Sequence, residues 1–401
     1  MVSDLGSQTM QNNLISRMRG LLSSPPEDPR FGMLLSGGGA RSSYQAGILT
    51  YIGEEFPDAN FPILTGVSAG AINVSHLASA EGSFLDAARY LVDCWNDTSQ
   101  EKIFESQSSF SLIKGYFKSR SPDTIEGLET TRGLLQTNPL RLFLADKLNA
   151  VEGRIPGIGD SLRSGRVEAV AIVTTNYTTG QTVTWVQGSD IEGWQRPTRV
   201  GIQSDITVEH IMASTSLPLL FPAIQIGGAW YGDGGIRFSA PLAPLVHLGA
   251  QRILAISTRY DRSRSEADMP EISGYPATTR IFGLLLNAVF LDALDQDART
   301  MARINSLLRQ LPRRKRKHMR PIHLLVMRPS VDLGKLAAEH ENKISGALGL
   351  ITRSLGSSGS SKSPDWLSML LFEREYIQQL IEIGYEDART RRSDIEEFLT
   401  V

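Results

Sequence analysis

Short apolar runs alternate with stretches of helical spacing through the middle of the chain. The runs lie at Phe31–Leu35 and at residues 61–65, 167–174, 182–186, 252–257 and 322–327, and each has the length of a buried strand. Residues 44–55 and the segment from residue 70 to residue 80 place apolar side chains at helical spacing. Because strands that alternate with helices form βαβ units, we predict an α/β fold with a mainly parallel sheet.

Composition shifts divide the chain into three parts. Residues 1–30 are a polar leader that ends in a proline-rich linker. Residues 31–330 are predicted to form one α/β domain, with a polar, helical insertion at about residues 98–164. Residues 280–311 and 366–399 have helical spacing, and we expect residues 331–401 to be a helical extension packed on the domain.

Charge and cysteine content exclude several classes of protein. Lys and Arg total 41 against 43 Asp and Glu, so the net charge of -2 argues against a strongly basic nucleic-acid binder. The single cysteine, Cys94, forms no internal disulfide, and the six histidines lack metal-ligand spacing. We find no signal-peptide core and no run of 18 apolar residues. The expectation is a cytoplasmic, enzyme-sized protein without metal or cofactor.

The strongest local motif is Gly66-Val67-Ser68-Ala69-Gly70, which follows one predicted strand and precedes a helix. A serine at such a tight turn needs small neighbours so that its hydroxyl stays exposed. The amino end of the following helix also favours a developing negative charge. The pattern therefore makes Ser68 a candidate nucleophile, although an ordinary glycine-rich turn would look the same.

A second glycine-rich turn, Gly37-Gly38-Gly39-Ala40-Arg41, also follows a strand and precedes a helix. Successive glycines let backbone amides approach a ligand oxygen, as an oxyanion hole requires. A nucleotide loop is disfavoured, because Gly-Lys-Ser/Thr is missing and Ser42 stands where G-x-G-x-x-G has its last glycine.

A nucleophilic serine needs a base, and two arrangements are open. A triad of Ser68, Asp233 and His247 has the required chain order, but His247 falls in a predicted helix over residues 241–250, where a surface or core histidine is the more usual reading. Alternatively, Asp233 acts alone, since an aspartate within reach of the hydroxyl can accept its proton. On its own, the Asp233-Gly234 pair favours an ordinary β-turn, which is common in hairpins.

Taken in order, these blocks resemble the three signatures of patatin-like phospholipases. The glycine-rich turn, the Ser68 motif and Asp233-Gly234-Gly235 all match, and residues 213–222 (ASTSLPLLFP) are similar to that family's ASxxxPxxFP block. The resemblance covers about residues 31–257. It implies a three-layer α/β/α patatin-like fold with a helical C-terminal extension.

The resemblance also implies lipid acyl hydrolysis by a Ser/Asp dyad. Ser68 would be the nucleophile and Asp233 its general base. The amides of Gly38 and Gly39, with Gly37 and Ala40, would form the oxyanion hole. The other residues that match the three signatures would support these catalytic groups; they are Arg41, Gly66, Gly70, Gly234 and Gly235. The family usually has glycine at the position of Ser42. If this position requires a positive φ, a serine there would distort the loop.

Two other functions and several partners stay open. The alternatives are an acyltransferase and a catalytically silent or activator-dependent lipid-binding protein. We expect a lipid or acyl-ester substrate, peripheral membrane contact, a homo-oligomer and no nucleic acid. The basic run at residues 313–320 is either a solvated loop or a surface for anionic headgroups. The apolar residues 281–294 pack on the sheet or a partner subunit, or form a membrane-docking lid.

Overall fold

In the computed structural model, the described part of the chain contains ten strands that form one mixed sheet and two that form a small separate pair. The described residues are 29–106, 133–188, 193–268, 275, 278–317, 319–340 and 365–400. The strands are β1 (Phe31–Leu35), β2 (Ile63–Val67), β3 (Glu105–Ser106), β4 (Leu135–Gln136), β5 (Ala169–Asn176), β6 (Thr182–Gly188), β7 (Gln195–Arg196), β8 (Arg199–Gln203), β9 (Ile224–Ile226), β10 (Ala229–Asp233), β11 (Arg252–Ile256) and β12 (His323–Met327).

Helices connect the strands and continue past the last of them. They are α1 (Ser43–Glu55), α2 (Ala69–Ser79), α3 (Phe84–Asn96), α4 (Gln100–Ile103), α5 (Asn138–Lys147), α6 (Pro156–Ser164), α7 (Val208–Ser214), α8 (Ala243–His247), α9 (Arg264–Ala267), α10 (Thr278–Phe290), α11 (Ala293–Gln310), α12 (Leu333–Glu339), α13 (Arg374–Thr390) and α14 (Arg392–Leu399). In the described residues, no helix is long and apolar enough to cross a membrane.

The order of the strands brings the two glycine-rich turns together. The sheet runs β12-β11-β1-β2-β5-β6-β8-β7, and β12 through β5 are all parallel. β10 pairs antiparallel with the end of β5, so that Asp233 lies opposite Thr174. The carboxyl ends of β1 and β2, which carry the glycine-rich turns, therefore lie beside the end of β10. The predicted α/β fold with a mainly parallel sheet is confirmed.

Alternation of side chains along the strands builds three layers. Met33 and Leu35 of β1 point to the larger apolar cluster, which includes α1, α2 and α13. Leu34 points to the other face, where Leu245 of α8 and Leu294 of α11 cover it. Because both faces of the sheet are covered, its central strands are apolar almost throughout.

Helix α13 packs closely on α1 through a glycine in each helix. A Cβ atom at Gly47 would lie 1.9 Å from the carbonyl oxygen of Ile381, and one at Gly384 would lie 2.0 Å from that of Tyr44. The Tyr44 hydroxyl donates to Asp387 Oδ2 at 2.9 Å across the same contact. Burial and the Asp387 carboxylate raise the pKa of Tyr44 well above its usual range, so this phenol stays protonated.

Three predicted elements have different bounds in the structure. β2 begins at Ile63 rather than at residue 61 and extends to Val67, because Gly66 pairs with both Leu35 and Ile172. The stretch of helical spacing at residues 280–311 is two helices, α10 and α11. The predicted helix at residues 366–399 is a 3-10 turn, Asp365–Met369, followed by α13 and α14.

Candidate active site

Ser68 occupies the sharp turn between β2 and α2. Its φ of 54° is rare for a residue with a side chain, and such strain is typical of catalytic serines at strand-to-helix turns. The two motif glycines permit the turn: a Cβ at Gly66 would lie 2.4 Å from the Gly70 carbonyl oxygen, and one at Gly70 would lie 2.0 Å from that of Leu35. Ser68 is therefore held at the carboxyl edge of the sheet.

Serines of the 213–222 block hold both candidate catalytic residues. The Ser68 amide donates to Ser214 Oγ at 3.0 Å, and the Ser214 hydroxyl donates to the Val173 carbonyl oxygen at 2.6 Å. The Asp233 amide donates to the Ser216 carbonyl oxygen at 3.0 Å. The sequence predicted no role for these serines, and their only signal was the cluster of small hydroxyl residues at positions 214–216.

Asp233 lies at the end of β10 and is fully buried. Its Oδ1 accepts a hydrogen bond from the Gly235 amide at 2.8 Å. Burial raises the pKa of Asp233 to about 7, and hydrogen bonding from the Ser68 side chain and the Gly235 amide opposes this rise. Its Oδ2 makes no hydrogen bond of standard geometry in the described residues, so the contact with Ser68 is looser than a full bond. Catalytic contacts are often long before substrate binds.

The glycine loop of residues 37–40 lies directly against Ser68. A Cβ at Gly37 would be 2.7 Å from Ser68 Cβ, so a larger residue would push the loop off the serine. The Thr258 hydroxyl, two residues beyond the end of β11, donates to the Gly37 carbonyl oxygen at 2.6 Å and fixes the loop. In the described residues, the amides of Gly38 and Gly39 donate to no protein acceptor. They remain available to a ligand oxygen.

The two residues after the loop differ in role. Arg41 is buried and its Nε donates to Ser368 Oγ at 2.6 Å, which ties the loop to the 3-10 turn Asp365–Met369. Ser42 has a φ of -71°, so this position does not need glycine and the distortion that we considered does not arise. The neighbouring Asn73 side chain donates to the Ser42 carbonyl oxygen at 3.0 Å.

Replacing Gly39 by alanine should destabilise the protein by several kcal/mol. Gly39 has a φ of +57°, and an added Cβ would lie 2.0 Å from the carbonyl oxygen of Met369, which cannot move without the backbone. Gly227 is the matched control, because its φ of +56° is the same and nothing lies within 4 Å of the added Cβ. Gly227→Ala should cost only about 1 kcal/mol. Equal losses in urea unfolding would contradict the close contact with Met369.

An apolar pocket opens beside Ser68 and Gly39. Its walls come from α2, α3 and α5, from the block after Ser214, and from Met369, Leu370 and Phe372. Sequence reasoning missed these C-terminal wall residues, because they lie about 300 residues from Ser68 and outside the motifs. In the described residues, no group of three or more His, Cys, Asp or Glu could hold a metal ion.

His247 does not complete a triad in this arrangement. It lies on the exposed side of α8, where its ring stacks on Trp194 with centroids 5.0 Å apart. None of the hydrogen bonds, ion pairs or ring contacts among the described residues joins it to Ser68 or Asp233. The structure thus brings together Ser68, Asp233 and the glycine loop, and leaves His247 outside.

Comparison with solved structures gives matches of low sequence identity. VipD from Legionella pneumophila matches with a TM-score of 0.33 and 14% identity over 88% of this chain and 67% of that chain. Human GIVD cytosolic phospholipase A2, in complex with methyl gamma-linolenyl fluorophosphonate, matches with a TM-score of 0.43 and 13% identity over 95% of this chain. The chain spans 61% of that phospholipase.

Comparison with family models gives the decisive match. No curated protein sequence is similar enough to match. The model of the family described as patatin-like phospholipase matches residues 33–246, which is more than half of the chain and includes Ser68, Asp233 and the glycine loop of residues 37–40. The chain belongs to the patatin-like phospholipase family.

Proposed function

We propose that this protein is a serine hydrolase that cleaves acyl ester bonds of glycerolipids with a Ser68–Asp233 dyad. The observation that carries the proposal is the arrangement at one edge of the sheet: Ser68 lies in its strained turn, and the fully buried Asp233 carboxylate lies at the end of β10. Burial raises the pKa of that carboxylate to about 7, and hydrogen bonding from the Ser68 side chain opposes the rise. A general base works best when its pKa lies near the working pH. The apolar pocket beside Ser68 supports an acyl chain as the bound group.

The chemistry follows from the positions of these groups. Asp233 accepts the proton of the Ser68 hydroxyl as Oγ attacks the ester carbonyl carbon. The amides of Gly38 and Gly39, with those of Gly37 and Ala40 beside them, donate to the oxygen that becomes negative. Asp233 then gives its proton to the leaving alcohol, and the acyl group stays on Ser68. Water that loses a proton to Asp233 hydrolyses this acyl-enzyme, and Asp233 returns the proton to Ser68 Oγ.

The rate of hydrolysis should rise with pH through about 7. Burial raises the pKa of Asp233 to about 7, and only the ionised carboxylate can accept the serine proton. We expect kcat/KM to fall about tenfold for each pH unit below 7 and to level off above it. A profile of kcat/KM from pH 5 to pH 9 on an uncharged ester measures this dependence. A midpoint near pH 4 would contradict burial of the base.

Peripheral contact with a lipid surface is part of the proposal. Helix α10 exposes Ile281, Leu284 and Leu285, while its Phe290 packs over Gly235 next to the candidate base. An exposed apolar stripe beside the catalytic residues suits a substrate that resides in a lipid aggregate.

The proposal also divides the chain into three parts. These are a leader at residues 1–30, a catalytic domain at 31–330 and a C-terminal extension at 331–401.

Fatty-acid release from a phospholipid panel and from nitrophenyl esters tests the function. We expect release from the wild type and labelling of Ser68, located by peptide mass, with a fluorophosphonate probe. If the probe labels Ser68 but the acyl group passes to an added alcohol and no free fatty acid is released, the acyltransferase is favoured. A folded protein that releases nothing and resists the probe would contradict the proposal and favour a silent lipid-binding protein.

A further inference from the structure

The apolar pocket follows one face of α2 away from the nucleophile. Ala69, Ile72 and His76 line it, and this spacing places the three side chains in one row along the helix. Ser68 precedes the first turn of α2. Because the row begins beside Ser68, the position of a residue along α2 gives its distance from Ser68 within the pocket.

Helix α3 forms the opposite wall and runs antiparallel to α2. Leu91, Cys94 and Trp95 line the pocket from this side. Trp95 Nε1 donates to Asn73 Oδ1 at 3.0 Å, which aligns the end of α3 with the second turn of α2. The ring of Tyr90 lies 5.9 Å from that of His76. Cys94 therefore lies between these levels, and Leu91 lies near the level of His76, at the end of the row farthest from Ser68, where both side chains are buried.

The pocket offers a hydrocarbon chain almost no polar surface. His76 is buried, and its Nδ1 lies 3.0 Å from the Ile72 carbonyl oxygen. Burial lowers the pKa of His76 to about 4, so its ring is neutral at physiological pH. An unsubstituted alkyl chain can bury its methylenes here without desolvating a charge.

The helix rise converts this row into a chain length. His76 is eight residues beyond Ser68, so at 1.5 Å per residue it lies about 12 Å along α2. An extended alkyl chain with bonds of about 1.5 Å advances about 1.25 Å per carbon. About eight to ten carbons therefore reach from an ester carbonyl at Ser68 to the level of His76.

We propose that the pocket between α2 and α3 holds the acyl chain of the substrate and selects a medium chain of about eight to ten carbons, with His76 and Leu91 at the limit. The proposal rests on the proposed function and names the acyl class that Ser68 would attack. Cys94 then lies against the distal part of the chain, and Ile72 lies against its middle.

The single cysteine permits a test without catalysis. In the Ser68→Ala protein, N-ethylmaleimide should modify Cys94 slowly, because burial raises the pKa of the Cys94 thiol to about 12. Decanoate at about ten times its Kd should slow this modification about tenfold, and butanoate should not slow it. Intact mass measures the modified fraction. A Cys94 that never reacts, or one that decanoate does not protect, would overturn the proposal even if the enzyme proves to be a hydrolase.

The chain-length profile of the active enzyme provides the second test. Ile72→Phe adds a ring to the pocket wall one turn from Ser68, at a side chain that is only partly buried. Relative to the butyryl ester, kcat/KM for the decanoyl ester should fall at least about tenfold. The matched control is Leu142→Phe on the exposed face of α5, which should leave the ratio unchanged. An unchanged ratio in Ile72→Phe would show that the chain binds elsewhere. If cysteine protection succeeds but no ester is hydrolysed, the pocket stands and the proposed function fails.

Discussion

Replacing Ser68 by alanine should reduce kcat/KM for ester hydrolysis by about 10⁴-fold or more. The variant keeps the backbone turn but loses the atom that would carry the acyl group, so no acyl-enzyme can form. The Ser68 side chain is almost fully buried and small, and its removal should leave the free energy of unfolding within about 1 kcal/mol of the wild type. Steady-state kinetics and urea unfolding on the same preparation separate the two effects.

Ser42→Ala is the matched control for the nucleophile. Ser42 is also buried, it lies five residues from Gly37, and its hydroxyl has no hydrogen-bond partner among the described residues. Removing that hydroxyl should leave kcat/KM within about threefold of the wild type. The assignment of Ser68 would be contradicted if activity persisted in Ser68→Ala, or if Ser68→Ala and Ser42→Ala lost activity equally.

Replacing Asp233 by asparagine should reduce kcat/KM by about 10³-fold or more and should stabilise the protein at high pH. The amide keeps the shape of the carboxylate but accepts no proton from Ser68. The stability effect has a defined sign. Burial raises the pKa of Asp233 to about 7, so between about pH 4 and pH 7 the folded protein binds a proton more tightly than the unfolded chain. Stability therefore falls as the pH rises through this range.

The size of the stabilisation follows from the same pKa. A rise of about three units corresponds to about 4 kcal/mol at pH 8, where both states are ionised, and to almost nothing at pH 4. Urea unfolding of the wild type and of Asp233→Asn at pH 5 and pH 8 measures the difference. The control is Asp297→Asn, since burial also raises the pKa of Asp297, which accepts a hydrogen bond from the Leu242 amide at 2.9 Å. That variant should keep full activity, and its loss of activity would show that the assay reports folding rather than the base.

Local sequence predicted the elements that carry the candidate site, because strand-turn-helix units are encoded within a few residues. The turns around Ser68 and Gly37 follow buried strands, as their apolar runs predict. The bounds of β2 were less predictable, since Val67 joins the strand only through pairing with β5. Propensity alone does not show which partner strand will extend an element.

The pocket walls could not be predicted because they depend on long-range packing. Met369 and Phe372 reach the site through the contact of α13 with α1, and no motif near Ser68 indicates it. The pKa of Asp233 was equally out of reach, since an Asp-Gly pair looks the same in an exposed hairpin and in a buried loop. The sequence therefore predicted which residues are candidates, and packing determined their environment.

The hydrogen bond between Arg41 and Ser368 joins residues that are 327 positions apart. During synthesis, the glycine loop leaves the ribosome long before the segment that supports it. A nascent chain that has folded its sheet would still lack Ser368 and the Met369 contact at Gly39. We expect hydrolytic activity to emerge only after translation has passed residue 369, as a late step of maturation. A lipid hydrolase built in this way would begin to act only once residues 368 and 369 have packed against the glycine loop.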